Sequence, residues 1–216
     1  MSTRKTILIT ATLIFLATLA GIFLWNRLPD PMASHWGIYD QVNGTTDKFW
    51  GVFLTPMLMA GLLALFLAIP VIDPLKANIA KFRNTFNALV ILLIAFLMYT
   101  HVLTLAWNLG YNSFRMSTAL VPAIGLLMIF LGMLIRNAKR NFFIGIRTPW
   151  TLSSDTVWSA THHLGGPLFM ISGFIALIGF YFPDIAVWFL IIPLIATTLF
   201  SVVYSYVLFQ REAQPA

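Results

Sequence analysis

Six uncharged apolar stretches constrain this chain more than any other feature: Thr6–Asn26, Trp50–Ile72, Asn87–Leu109, Thr118–Ile135, Leu164–Phe182 and Ile185–Phe209. None contains Asp, Glu, Lys or Arg. A helix that rises about 1.5 Å per residue needs roughly 20 apolar residues to cross about 30 Å of hydrocarbon. Lipid offers no partner for backbone amides and carbonyls, so a spanning segment must satisfy them within itself. The chain is 59% apolar and 9% charged, against about 25% charged in an ordinary soluble domain. These features predict an all-α integral membrane protein with six transmembrane helices.

Arg4 and Lys5 precede the first stretch, as they would in a secretory leader. Its apolar run exceeds the roughly 7–15 residues of a leader and no A-x-A pattern closes it, which predicts an uncleaved span. Lys and Arg then set direction, because they accumulate on cytoplasmic loops. One side holds Arg4, Lys5, Lys76, Lys81, Arg83, Arg136, Lys139, Arg140, Arg147 and Arg211, the other only Arg27, Lys48 and Arg115. Both termini are therefore expected inside. The outer face keeps Asp30, Asp40, Asp47 and Asp184. The net charge of +6 follows this orientation pattern and not a nucleic-acid-binding stripe, so no direct nucleic-acid contact is expected. Cysteine is absent, which excludes disulfides, thiolate metal sites and S-palmitoylation.

Two connections are long. They divide the chain into an N-terminal three-helix half, residues 1–109, with an extracellular loop over 27–49, and a C-terminal three-helix half, residues 110–216, with a cytoplasmic loop over 136–163. The two halves read alike in opposite orientations, as a remote inverted repeat would.

The cytoplasmic loop departs from a solvated connection. Phe142, Phe143, Ile144 and Ile146 are too apolar for water and too few to span, so they are expected at the lipid–water boundary with Trp150 and Trp158. Gly145 permits backbone shapes other residues resist, and Pro149 biases Thr148 toward an extended conformation. Ser154 is placed to cap a short helix starting near Asp155, which puts Trp158 and His162 one turn apart on one face. Gly165, Gly166 and Pro167 mark that helix's end or the entry to the fifth span. Arg147 can grip a lipid phosphate or a carboxylate through two parallel hydrogen bonds.

The run Asn141, Ile144-Gly145-Ile146-Arg147-Thr148-Pro149-Trp150-Thr151-Leu152, then Trp158 and Thr161-His162, resembles the signature of the SdpI family of bacterial membrane proteins. Leu28-Pro29, His35-Trp36, Gly37, Asp40 and Lys48 resemble the amino-terminal domain of unknown function that often precedes it. The resemblance covers most of the chain and implies immunity to a secreted, membrane-active peptide toxin, in a prokaryotic plasma membrane. It also implies signalling, by holding a repressor protein at the membrane once toxin is engaged. This chain has His163 where the family leads one to expect a basic residue. On this reading Asn141, Gly145, Arg147, Thr148, Pro149, Trp150, Trp158 and His162 form the family motif and partner surface, with Asp30, His35, Trp36 and Asp40 as extracellular ligand candidates.

Within the spans, His101 is the only ionisable residue, and Thr104 and Asn108 share its helical face. A proton or ion path and an interhelical hydrogen bond are both open for it. Thr197, Ser201, Tyr204 and Ser205 form a stripe below Pro193 on the sixth span, consistent with close packing and a kink. A small transporter or channel, or a structural subunit of a membrane complex, are the alternatives to immunity. Adjacent His162 and His163 point about 100° apart on a helix, unlike zinc motifs at i,i+4. No nucleophile–base pairing, phosphate-cradling glycine loop or paired intramembrane carboxylates occur. No enzyme activity, cofactor or metal is expected, and the partners expected are membrane lipids, a peptide toxin outside and a repressor inside.

The cysteine-free sequence makes its own topology test. Ser34→Cys should react with a membrane-impermeant maleimide on intact cells, and Ser153→Cys only after the membrane is opened. The reverse pattern would invert the proposed orientation.

Overall fold

The computed structural model describes residues 2–213; the extreme ends of the two predicted halves, 1 and 214–216, lie outside them. Six helices are long and apolar enough to cross a membrane: α1 (Thr3–Leu24), α2 (Lys48–Ile72), α4 (Arg83–Asn108), α5 (Met116–Asn137), α7 (Asp155–Ile178) and α8 (Ala186–Ala213). Two single-turn helices, α3 (Lys76–Ala80) and α6 (Pro149–Ser153), lie on the basic side. All six predicted spans are present, and the chain is a multi-pass helical membrane protein.

Two features were not foreseen from the sequence. Within the 27–49 loop, β1 (Met32–Trp36) and β2 (Val42–Thr46) form an antiparallel hairpin with Met32 opposite Thr46 and Trp36 opposite Val42. Its turn is closed by the Asp40 amide donating to the Gly37 carbonyl at 2.9 Å, with Asp40 at φ 62°. Asp is among the few side chains that tolerate this left-handed conformation. The hairpin is not a free flap. Met32 is fully buried among Leu28, Val52 and Leu105, and the Asn108 side chain donates to the Ala33 carbonyl (2.9 Å) and accepts from the Ala33 amide (2.8 Å).

The second difference is α7, which starts at Asp155 and runs unbroken through Gly165, Gly166 and Pro167. These residues were expected to mark a boundary. The Ser154 cap is present, its hydroxyl accepting from the Val157 amide at 3.1 Å. The glycines serve packing instead. A Cβ on Gly166 would lie 2.7 Å from the Gly132 carbonyl, and one on Gly173 would lie 2.5 Å from that of Gly125. Gly125 and Gly132 on α5 thus face Gly173 and Gly166 on α7 at matching seven-residue spacing. Lipid tails are as apolar as leucine, so spans associate through such close backbone approach and through interhelical hydrogen bonds.

α1, α2 and α4 pack on one another, as do α5, α7 and α8, and α4 meets α5 between the two sets. The largest buried cluster lies toward the basic side, around Phe86, Leu134, Ile79 and Trp158. At the outer rim Arg115 and Asp184 are 2.6 Å apart. The Asp184 carboxylate raises the guanidinium pKa above its ordinary value, but both side chains are exposed, so the pair is a minor contributor to stability.

The glycine seam yields a stability prediction. Gly132→Ala forces a methyl group onto the Gly166 carbonyl and Met170. It should destabilise the protein by about 1–3 kcal/mol in thermal unfolding in detergent. Gly61→Ala, where nothing lies within 4 Å of the new methyl, should be neutral or slightly stabilising.

Candidate functional site

The motif residues converge on the basic side, where segment 138–154 folds on itself and onto α7. Asn141 is fully buried and acts as the knot. Its side-chain oxygen accepts from the amides of Phe143 (2.9 Å) and Ile144 (2.7 Å). Its amide nitrogen donates to the carbonyls of Lys139 (2.8 Å) and Ile144 (2.9 Å). An asparagine has two acceptor sites and two donors, and all four are used. Gly145 follows at φ 116°, a region that strains side-chain-bearing residues. A Cβ there would also strike His162 Nε2.

His162 explains that restriction. Its Nε2 accepts from the Ile146 amide at 2.9 Å, and its Nδ1 donates to the Trp158 carbonyl at 2.8 Å. Those opposite roles fix a neutral imidazole with the proton on Nδ1. The Trp158 ring stacks on the imidazole with centroids 3.9 Å apart, and its indole N–H donates to the Ala138 carbonyl at 2.9 Å. Trp158 is 2% exposed and His162 1%. The expected pairing of these two residues on one face is present. Trp158 does not sit at the lipid boundary as expected, because its stacking and hydrogen bond carry it into the interior. Ile144 is likewise buried, while Phe142 stays exposed.

Thr148 and Thr151 then cap α6 reciprocally. The Thr151 amide donates to Thr148 Oγ1 (3.2 Å), the Thr148 amide to Thr151 Oγ1 (2.8 Å), and Thr151 Oγ1 to the Ile146 carbonyl (2.9 Å). Pro149 occupies the first turn, where its missing N–H costs nothing. The Trp150 indole donates to Ser205 on α8, and Arg147 reaches back to the Phe142 carbonyl at 2.6 Å. Arg147 remains exposed, with Phe142 and Pro149 beside it. These three form the motif's solvent-facing knuckle.

Two residues that the sequence reading did not single out anchor this fold. Asp73, at the end of α2, is buried and accepts from the amides of Leu75 (2.6 Å) and Phe142 (2.9 Å). Arg140 donates to the Leu152 carbonyl at 2.8 Å and lies 2.8 Å from Asp155. The one available signal for Asp73 was a carboxylate, followed by proline, at the end of a span on a mainly basic face.

On the opposite side a cavity of about 510 Å³ lies between the two helix sets, beneath the hairpin. Trp36, Thr55, Thr100 and Thr104 line it together with apolar residues that include Leu120 and Leu190. The Trp36 indole packs edge-on against Trp107, and its N–H is buried with no partner among the described residues. Of the outer candidates, Asp40 is not a free charge. Its carboxylate accepts from the Ser117 amide (2.7 Å) and hydroxyl (2.6 Å), capping α5 from the hairpin. Asp30 accepts from the Lys48 amide at 3.2 Å, at the start of α2, and His35 Nδ1 pairs with Asn43 at 2.6 Å.

His101 and Asn108 do not extend this cavity. His101 Nε2 faces the Ala17 carbonyl of α1 at 3.2 Å, whereas Asn108 holds the hairpin. On α8, Thr197, Ser201 and Ser205 are buried, and Ser172 bonds Thr197 at 2.7 Å and the Pro193 carbonyl at 3.2 Å.

The SdpI/YfhL protein family signature matches residues 137–205, spanning the folded motif, α7 and most of α8. It is an SdpI-like membrane protein. A domain of unknown function, DUF1648, matches residues 12–60, which include the hairpin. The immunity protein SdpI of Bacillus subtilis (strain 168) is 25% identical over 200 residues, covering 92% of this chain and 93% of that protein. No solved structure matches.

The motif geometry predicts a specific failure. His162→Ala removes the acceptor for a buried amide and the stacking partner of Trp158. It should cost about 2–4 kcal/mol and speed tryptic cleavage after Arg147 in inside-out vesicles. Arg147→Gln, at an exposed position, should leave thermal stability unchanged.

Proposed function

We propose that this SdpI-like chain protects a prokaryotic plasma membrane against a membrane-active peptide by engaging that peptide at the cavity beneath the hairpin. The observation that carries this reading is the cavity itself, lined by Trp36 and three threonines among apolar residues, with the Trp36 indole N–H buried and without a partner among the described residues. A peptide inserting from outside brings apolar side chains for the walls and carbonyls that accept from Trp36. Leaving a buried donor unpaired costs about 1–3 kcal/mol, so a ligand carbonyl gains from meeting it. Similarity to an immunity protein along nearly the whole chain supports the same role.

In this reading the chain acts by binding and not by catalysis. The hairpin touches both helix sets, through Asn108 on α4 and Asp40 on α5, so a peptide seated below it biases how they sit together. A ligand shifts such an equilibrium only by its preference for one arrangement. On the opposite side, the knuckle of Phe142, Arg147 and Pro149 is the surface a cytoplasmic repressor would contact.

The test uses a host sensitive to a membrane-active peptide toxin, with each variant brought to equal membrane levels. Leu120→Trp fills the cavity and should abolish protection. Trp36→Phe removes the hydrogen bond proposed to the peptide and should lower the tolerated toxin dose about fivefold. Arg147→Ala should keep protection and lose repressor capture. Full protection by Leu120→Trp would place the peptide elsewhere.

A further inference from the structure

On the basic side, α3, the end of α5 and the start of α7 enclose a second, mainly polar cavity of about 480 Å³. Lys81, Arg136, Lys139 and Arg140 all line it, together with the Ser159 hydroxyl. Asp155 is its single carboxylate, and Arg140 lies 2.8 Å from it. Lys81 Nζ donates to the neutral Asn78 side chain at 3.0 Å. Arg136 and Lys139 have no carboxylate within 4.0 Å among the described residues.

Orientation against the membrane explains why these cations lie on this side. It does not explain why two distant stretches, Lys81 after α3 and residues 136–140 at the end of α5, bring them to one concavity. Like charges gathered there repel one another. An anion placed among them turns the repulsion into attraction. The donors also have the right chemistry: a guanidinium fork for two oxygens, ammonium point charges and a hydroxyl. The floor is rigid, because Trp158 is stacked on His162 and bonded to Ala138.

We propose that this cavity is a binding site for a phosphate-bearing anion, supplied by the headgroup of an anionic phospholipid or by a soluble phosphate compound. The cavity opens where α5 and α7 leave the apolar layer, which is the depth of a headgroup phosphate. A bound phosphate joins α3, which follows the second span, to α5 and α7. It therefore clamps the two helix sets together on the side opposite the hairpin. This site does not depend on the outer cavity or on any peptide.

The full-length protein in neutral detergent is titrated with phosphatidylglycerol and with phosphatidylcholine by native mass spectrometry. A parallel arm follows thermal unfolding with inorganic pyrophosphate. The test variant is Arg136→Gln/Lys139→Gln, and the control Arg4→Gln/Lys5→Gln removes equal charge from the same side outside the cavity; all four side chains are exposed. Preference for phosphatidylglycerol should weaken about 30-fold in the cavity variant and stay nearly unchanged in the control. Should the double variant aggregate, Lys139→Gln alone should weaken binding about fivefold. Stabilisation by pyrophosphate that the cavity variant loses, without phosphatidylglycerol preference, assigns a soluble source and upholds the site. Equal losses in both variants, or no preference for either anion, would overturn it.

Discussion

Backbone that leaves a helix near lipid must find its hydrogen bonds inside the protein, and the segment between α5 and α7 is organised around that constraint. Asn141, Ile144, Thr148 and Thr151 are buried, and each unpaired amide or carbonyl among them is costly. Asn141 satisfies four groups, Thr148 and Thr151 satisfy each other's turn, and His162 takes the Ile146 amide. The residue types follow from this work. Asparagine has donors and acceptors on one short side chain, threonine caps, and neutral histidine gives and takes on opposite edges. Glycine is required where the chain passes under the imidazole with positive φ.

That scaffold also joins the two helix sets. On the basic side Asp73 and Asn78, from the second span and α3, bind the Phe142 amide and the Arg140 carbonyl of the motif. On the outer side Asp40 of the hairpin caps α5, and Asn108 of α4 holds the hairpin in place. Between these ties the helix sets meet mainly through α4 and α5 and leave a cavity toward each face. A change in how the sets lean on each other is therefore felt at both ends, through short polar links and, on the basic side, through the apolar cluster around Phe86, Leu134 and Trp158. Two cavities that each touch both sets suit a protein whose ligands act by shifting that lean.

Much of the motif's local structure was legible in the residues. Ser154 as a cap and Trp158 with His162 on one face follow from spacing alone, because helical geometry fixes which residues are neighbours. The direction of Trp158 was not legible. An aromatic residue beside a membrane segment suits the boundary or the interior, and only the position of Ala138 and the imidazole decides. The same limit hid Asp40 and Asp73, whose partners lie far away in sequence: an aspartate reads as a surface charge until a distant amide claims it. The Gly165-Gly166-Pro167 run read as a break because such residues end helices in water. Between packed spans, the neighbouring helix decides, and the glycines instead mark where α5 comes close.

The sequence by itself determined six spans, a basic side of the bundle and a folded turn on that side. These depend on transfer free energy, on charge placement and on periodicity, all properties of consecutive residues. The tertiary structure alone decided that loop 27–49 is a hairpin pinned across both helix sets, that Trp158 points inward, and that basic residues from two distant stretches share one cavity. Such features are relations between distant parts of the chain, and their energies exist only once the helices have packed.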